Sequence, residues 1–170
     1  MDSAAVHLDI GSPSDIDRVR PLWLTLHRHH QGLLPSLAPY VDDDRSWAIR
    51  RGLYLDLLAK PDTTLLFAVL ESALVGYGLA HVVHTRDTWV ADTWQTGDRI
   101  GEIESLGVVP EMRGRGVGTQ LLDALIGALT QAGVSDLVLG VVPGNRAINL
   151  YERFGFRTTW SYMSRFDGRR

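Results

Sequence analysis

One stretch constrains the fold more than any other: Glu102-Ile103-Glu104-Ser105-Leu106-Gly107-Val108-Val109-Pro110-Glu111-Met112-Arg113-Gly114-Arg115-Gly116-Val117-Gly118. It reads as a strand, a turn at Pro110, and alternating glycines that open a helix. The helix shows itself in the stripe Leu121, Leu122, Leu125, Ile126 and Leu129, and Gly133 closes it. Such a junction builds an anion site. Successive backbone N–H groups converge there, and the helix N-terminus adds positive potential. Glycine lets a ligand approach the backbone without a Cβ in the way, and Arg113 and Arg115 can add charge-assisted bonds to phosphate oxygens. The spacing is not that of a dinucleotide fingerprint, because the third glycine comes one residue early at Gly118. It is not a P-loop either, since Gly118-Thr119-Gln120 carries no lysine. Taken alone, the glycines could also serve only a tight turn.

Around this junction the chain alternates element types. Residues 5–10 suit a short strand, and Ser12-Pro13-Ser14-Asp15 gives helix-start chemistry for a helix to about His30. Asp42, Asp43 and Asp44 suit the start of a second helix over 45–59, where Ile49, Leu53 and Leu57 recur every fourth residue. Strands are predicted over 63–70, 73–84 and 100–109, with a hairpin at Glu71-Ser72. Residues 136–142 read as a buried strand, 145–154 as a short helix closed by Gly155, and 158–166 as a final alternating strand. Helices on the faces of a mixed α/β sheet follow from that order. The loop of about fifteen residues at 85–99, with Trp89, Trp94, Asp87, Asp92 and Asp98, is long enough to be functional.

Composition removes several alternatives. The 170 residues suit a single domain over 1–170. There is no cysteine, so a disulfide framework, a thiolate zinc site and a cysteine nucleophile are excluded. A formal net charge of −3 argues against a nucleic-acid partner. No apolar run approaches the roughly 20 residues of a membrane span. No signal pattern opens the chain, so a cytoplasmic protein, bacterial in type, is expected.

A second segment sharpens the reading. Arg113 to Gly118, followed by Leu150-Tyr151-Glu152 through Gly155-Phe156, resembles the paired motifs of the GNAT family, the GCN5-related N-acetyltransferases. The element order matches along nearly the whole chain. The resemblance implies a GNAT fold: a mixed, mostly antiparallel sheet of about six or seven strands flanked by about four helices, splayed between its fourth and fifth strands. It implies acetyl-CoA as co-substrate, no metal, and a small-molecule or peptide amine as acceptor, with a homodimer in keeping with the family. Small molecules are favoured because nothing marks a protein-docking surface. A catalytically silent acyl-CoA-binding module and a nucleotide-phosphate protein are the rival readings.

By the same resemblance, the pantetheine arm pairs with backbone groups of Leu106, Gly107 and Val108, and Gly107 is a plausible bulge residue. The diphosphate sits on Arg113, Gly114, Arg115, Gly116, Val117, Gly118 and Thr119. A backbone N–H near Val108 would stabilise the oxyanion. Counting back from Tyr151, the family's asparagine falls on Gly144, and the neighbouring Asn145 is carried over as the pantetheine contact. Tyr151 matches the family's general acid, and a phenol of pKa about 10 is a sensible donor to a thiolate. It could also only pack. The base is Glu102, Glu104 or water; a regular strand would put both glutamates on one face. His81 could face the acceptor. His27 and His30 read as a polar helix face, Ser105 lacks a nucleophile motif, and Trp47 with Tyr54 reads as core.

Overall fold

A computed structural model describes residues 5–36 and 39–166. The described elements are strand β1 (His7–Gly11), helices α1 (Arg20–Leu33) and α2 (Asp43–Leu58), strands β2 (Thr64–Leu70), β3 (Ala73–His84) and β4 (Arg99–Val108), helix α3 (Val117–Gln131), strand β5 (Leu137–Leu139) and helix α4 (Ile148–Arg153). The sheet order is β1-β2-β3-β4-β5, antiparallel except for the parallel β4–β5 pair.

The central strands are covered on both faces, as their near-continuous apolar sequences require. Leu65, Phe67, Tyr77 and Leu79 pack with Leu22, Trp23, Trp47, Tyr54 and Leu57 under α1 and α2. Leu66, Ala68, Ala80 and Ile103 pack with Leu121, Leu122, Leu125, Leu129 and Tyr151 under α3 and α4. The first helix starts as a 3-10 turn over Pro13–Val19, held by a capping box between Ser12 and Asp15. The side chain of Asp42 caps α2 by accepting from the Arg45 N–H at 2.8 Å.

Three expectations need correction. The buried face of α2 is Ser46, Trp47, Tyr54 and Leu57, whereas Ile49 and Leu53 are exposed. The four-residue recurrence was real, but the aromatic residues beside it bury more surface and set the rotation of the helix. The fifth strand is only three residues long. Residues 140–142 leave the ladder before Pro143 and Gly144. Among the described residues, 158–166 form no strand, so the sheet has five strands rather than six or seven. Alternation specifies a period but not a partner, and Trp160 stacks instead on Trp89, ring centroids 5.7 Å apart.

The bulge is also displaced. On β4, Leu79 pairs with Ser105 but Ala80 pairs with Ile103, so Glu104 is the extra residue. Gly107 lies in regular register opposite Tyr77, where a Cβ would come within 2.8 Å of the tyrosine ring.

Candidate active site

The bulge decides how β4 presents its side chains. Before it, Glu102 and Ile103 alternate normally; after it, Ser105 and Gly107 face α1 and α2, while Leu106 and Val108 join the α3 side. Glu102, Glu104 and Ser105 therefore share one face, with Ser105 brought there by the irregularity. Pairing with β5 covers Gly101 to Ile103 and ends at the bulge. From Glu104 to Val108 the strand has β3 on one edge and no ladder on the other, the free edge that a pantetheine arm can pair with.

The glycine loop continues from that edge. The Arg113 Nε donates to the Val108 carbonyl at 3.0 Å, tying the loop to the strand end. Gly114 and Gly116 adopt positive φ, +74° and +84°, which favour glycine. Nothing described lies within 4 Å of where a Cβ on either would stand, so the loop is open on that side. The first bond inside α3 runs from the Gln120 N–H to the Gly116 carbonyl, so the N–H groups of Val117, Gly118 and Thr119 precede the helix's own ladder. Residues and backbone here fit a diphosphate. Asn145 is partly committed elsewhere, because its Oδ1 accepts from the Ala147 N–H at 3.0 Å at the approach to α4.

Tyr151 projects from α4 into the α3-side cluster, edge-to-face with Phe156 at 6.2 Å. Burial pushes its phenol above the ordinary tyrosine value. The two glutamates lie on the opposite face of β4 from Tyr151, so a strand separates the candidate acid from the candidate bases.

The glutamates are not equivalent. Glu104 is ion-paired to Arg50 of α2, and both side chains are mostly buried. The Arg50 guanidinium also lies over the Trp23 ring at 4.1 Å and the Tyr54 ring at 5.4 Å. Sequence reasoning missed Arg50; its i,i+4 relation to Tyr54 on the aromatic side of α2 was the available signal. Glu102 instead faces His81, its register partner on β3, with Oε2 3.5 Å from Nε2. Burial and the neighbouring Glu104 hold the Glu102 carboxyl above its usual range. Burial and the nearby Lys60 charge hold the His81 imidazole below its own. Behind them, Tyr54, Tyr77 and Ser105 form a buried hydroxyl network, with Tyr54 and Tyr77 3.1 Å apart.

The 85–99 loop folds back through a bond from the Thr85 N–H to the Asp98 carbonyl (2.9 Å) and one from the Gly97 N–H to Asp136 Oδ2 (3.0 Å). A recess of about 650 Å³ beside it is lined by His84, Arg86, Trp94 and Asp98, among others. His27 stacks on Trp23 and reaches the Val41 carbonyl at 3.3 Å. No helix among the described residues is long and apolar enough to cross a membrane.

Comparison with known proteins agrees with this architecture. The chain is 44% identical over 70 residues to a mycothiol acetyltransferase of Propionibacterium freudenreichii, a match covering 41% of this chain and 22% of that protein. The chain thus spans less than a quarter of that relative's length. A GCN5-related N-acetyltransferase structure from Ralstonia eutropha superposes with a TM-score of 0.76 at 18% identity, covering 96% of this chain and all of that one. A predicted acetyltransferase from Clostridium acetobutylicum, solved with acetyl-CoA, gives 0.71 at 17% identity over 94% and 95% of the two chains. The model of the acetyltransferase (GNAT) family matches residues 23–156, from the first turn of α1 to the Gly155-Phe156 turn, and the chain belongs to that family.

Proposed function

We propose that the protein transfers an acetyl group from acetyl-CoA to a primary amine by direct attack in a ternary complex. The observation that carries this reading is the free edge of β4 from Glu104 to Val108, which leads through one short turn at Pro110–Met112 into the left-handed glycines and the start of α3. Backbone groups of Leu106, Gly107 and Val108 would take the pantetheine arm. Arg113, Gly114, Arg115, Gly116, Val117, Gly118 and Thr119 would take the diphosphate, with Asn145 beside the arm. The thioester supplies the activated acetyl group; the side chains of this chain manage protons.

Glu102 is the base in this reading. Glu104 is committed to Arg50, whereas the Glu102 side chain is 37% exposed and reachable by an acceptor. Its raised proton affinity brings a carboxylate closer to what an amine requires. Tyr151 is the acid on the opposite side of the strand. Burial keeps its proton in place until a thiolate needs it. Trp94 and Asp98, at the Glu102 end of β4, offer an apolar wall and a negative charge suited to a cationic amine.

The test is thiol release from acetyl-CoA with a panel of amines: spermidine, an aminoglycoside, an S-aminoethylcysteine and a short peptide. Turnover of at least one is expected. CoA that raises thermal stability with no amine turned over would instead favour a silent binding module. Calorimetric binding of ATP or NAD without CoA binding would overturn the assignment.

A further inference from the structure

We propose that His81 and Glu102 act as one proton acceptor, with Glu102 meeting the incoming amine and His81 holding the proton behind it. This rests on the acetyl-transfer reading above. The two residues face each other across the β3–β4 pair, and their closest atoms, Nε2 and Oε2, are 3.5 Å apart. That is the long end of hydrogen-bonding distance, as catalytic pairs often show before substrate tightens them. Their exposures differ in the useful direction: 37% for the Glu102 side chain and 7% for that of His81. The outer group can touch an acceptor, and the inner one cannot.

Three observations separate this pair from a packed core histidine. Leu79 and Ala80, the residues before His81 on β3, are fully buried apolar side chains, so packing alone does not call for an imidazole. The Nδ1 of His81 is buried without a hydrogen bond of good geometry, and the Val82 backbone comes near enough to the ring to favour its charged form. That leaves Nε2 as the edge with a side-chain partner, so a proton taken by His81 is held against Glu102. Finally, a ring nitrogen of His81 and a carboxylate oxygen each from Glu102 and Glu104 lie within 4.8 Å of one another. Arg50 already supplies a positive charge to Glu104, which leaves the other two to share a proton.

The charged and titratable surroundings are few. Glu104 raises the proton affinity of Glu102. Lys60, in the turn after α2, lowers that of His81. Arg50 sits on the far side of Glu104. Burial moves the carboxyl up and the imidazole down, so their proton affinities converge, and two such groups titrate as a pair rather than singly. In the step itself, one N–H bond of the ammonium breaks and an O–H bond forms on Glu102. The proton then passes to Nε2, leaving carboxylate and imidazolium, and the amine keeps its lone pair for attack. The proton returns through Glu102 to solvent after transfer.

The test has two arms. Long-range ¹H–¹⁵N spectra of the histidine side chains, with EDTA present, follow His81 from pH 4 to 9 in the wild type and in Glu102→Gln. A shared proton predicts that His81 loses at least one pH unit of proton affinity in the variant; an unchanged titration overturns the pairing. This arm needs no acceptor, so it stands even if no amine is turned over. In the second arm, His81→Gln is assayed with the panel amine that turns over fastest. We expect kcat to fall about 10- to 100-fold and its acid limb to move at least one pH unit lower, with the KM for acetyl-CoA unchanged. A kcat within twofold and an unmoved limb would overturn the proposal.

Discussion

Burial keeps the Tyr151 phenol protonated beyond the ordinary tyrosine range, which suits an acid that must hold its proton until a thiolate forms. Tyr151→Phe should lower kcat about 10- to 100-fold with little change in acetyl-CoA affinity. Steady-state kinetics beside CoA calorimetry check both halves of that statement. Tyr77 gives a second consequence at the same scale. Complete burial pushes its phenol well above its ordinary value, with Tyr54 close by adding to the effect. A group with a raised folded value favours the protonated native state. Its contribution is whole below pH about 10, where the unfolded tyrosine begins to ionise, and is lost as pH climbs toward the folded value. Denaturant unfolding from pH 8 to 11 should therefore show stability falling above about 10, and Tyr77→Phe should fall less steeply.

At the scale of elements, the junction between β4 and α3 was legible because its chemistry is local. Positive φ at Gly114 and Gly116 demands glycine wherever the rest of the chain goes. Gly116→Val should abolish CoA binding by calorimetry while circular dichroism shows a folded protein. Helix α2 was legible only in part. Its acidic start and its limits could be read to within two residues, but its rotation could not, because Arg50 and Tyr54 meet α1 and β4 through contacts that lie far away in sequence. Ile49 and Leu53 carried the expected period and ended outside. Likewise Glu102 and Glu104 could be placed on one face, yet not told apart, since Arg50 and His81 arrive from other elements. Arg50→Met should destabilise the protein by about 1–3 kcal/mol in urea titration. That is less than for a fully buried pair because both partners keep some solvent contact.

For the whole molecule, long-range closure was the least readable level. The final apolar alternation was sound as a pattern, but its residues Trp160, Tyr162, Met163 and Phe166 are exposed. What joins this segment to the 85–99 loop is a stack of two indoles. Stacked indoles give a paired circular-dichroism band in the far ultraviolet, and Trp160→Phe should abolish it while leaving the melting temperature of the core within a few degrees. The bulge on β4 has a different kind of consequence. Substitution of Glu104 changes one side chain and leaves the bulge, whereas its deletion would make Ile103 and Ser105 neighbours and restore a regular ladder to β3. Ser105 and Gly107 would still face α1 and α2, and Leu106 and Val108 the α3 side, while the carboxylate that meets Arg50 and the local bend of the strand would be lost. That position adds a side chain to one face without altering the parity of the rest, so in urea titration its deletion should harm the fold about as much as its replacement by alanine.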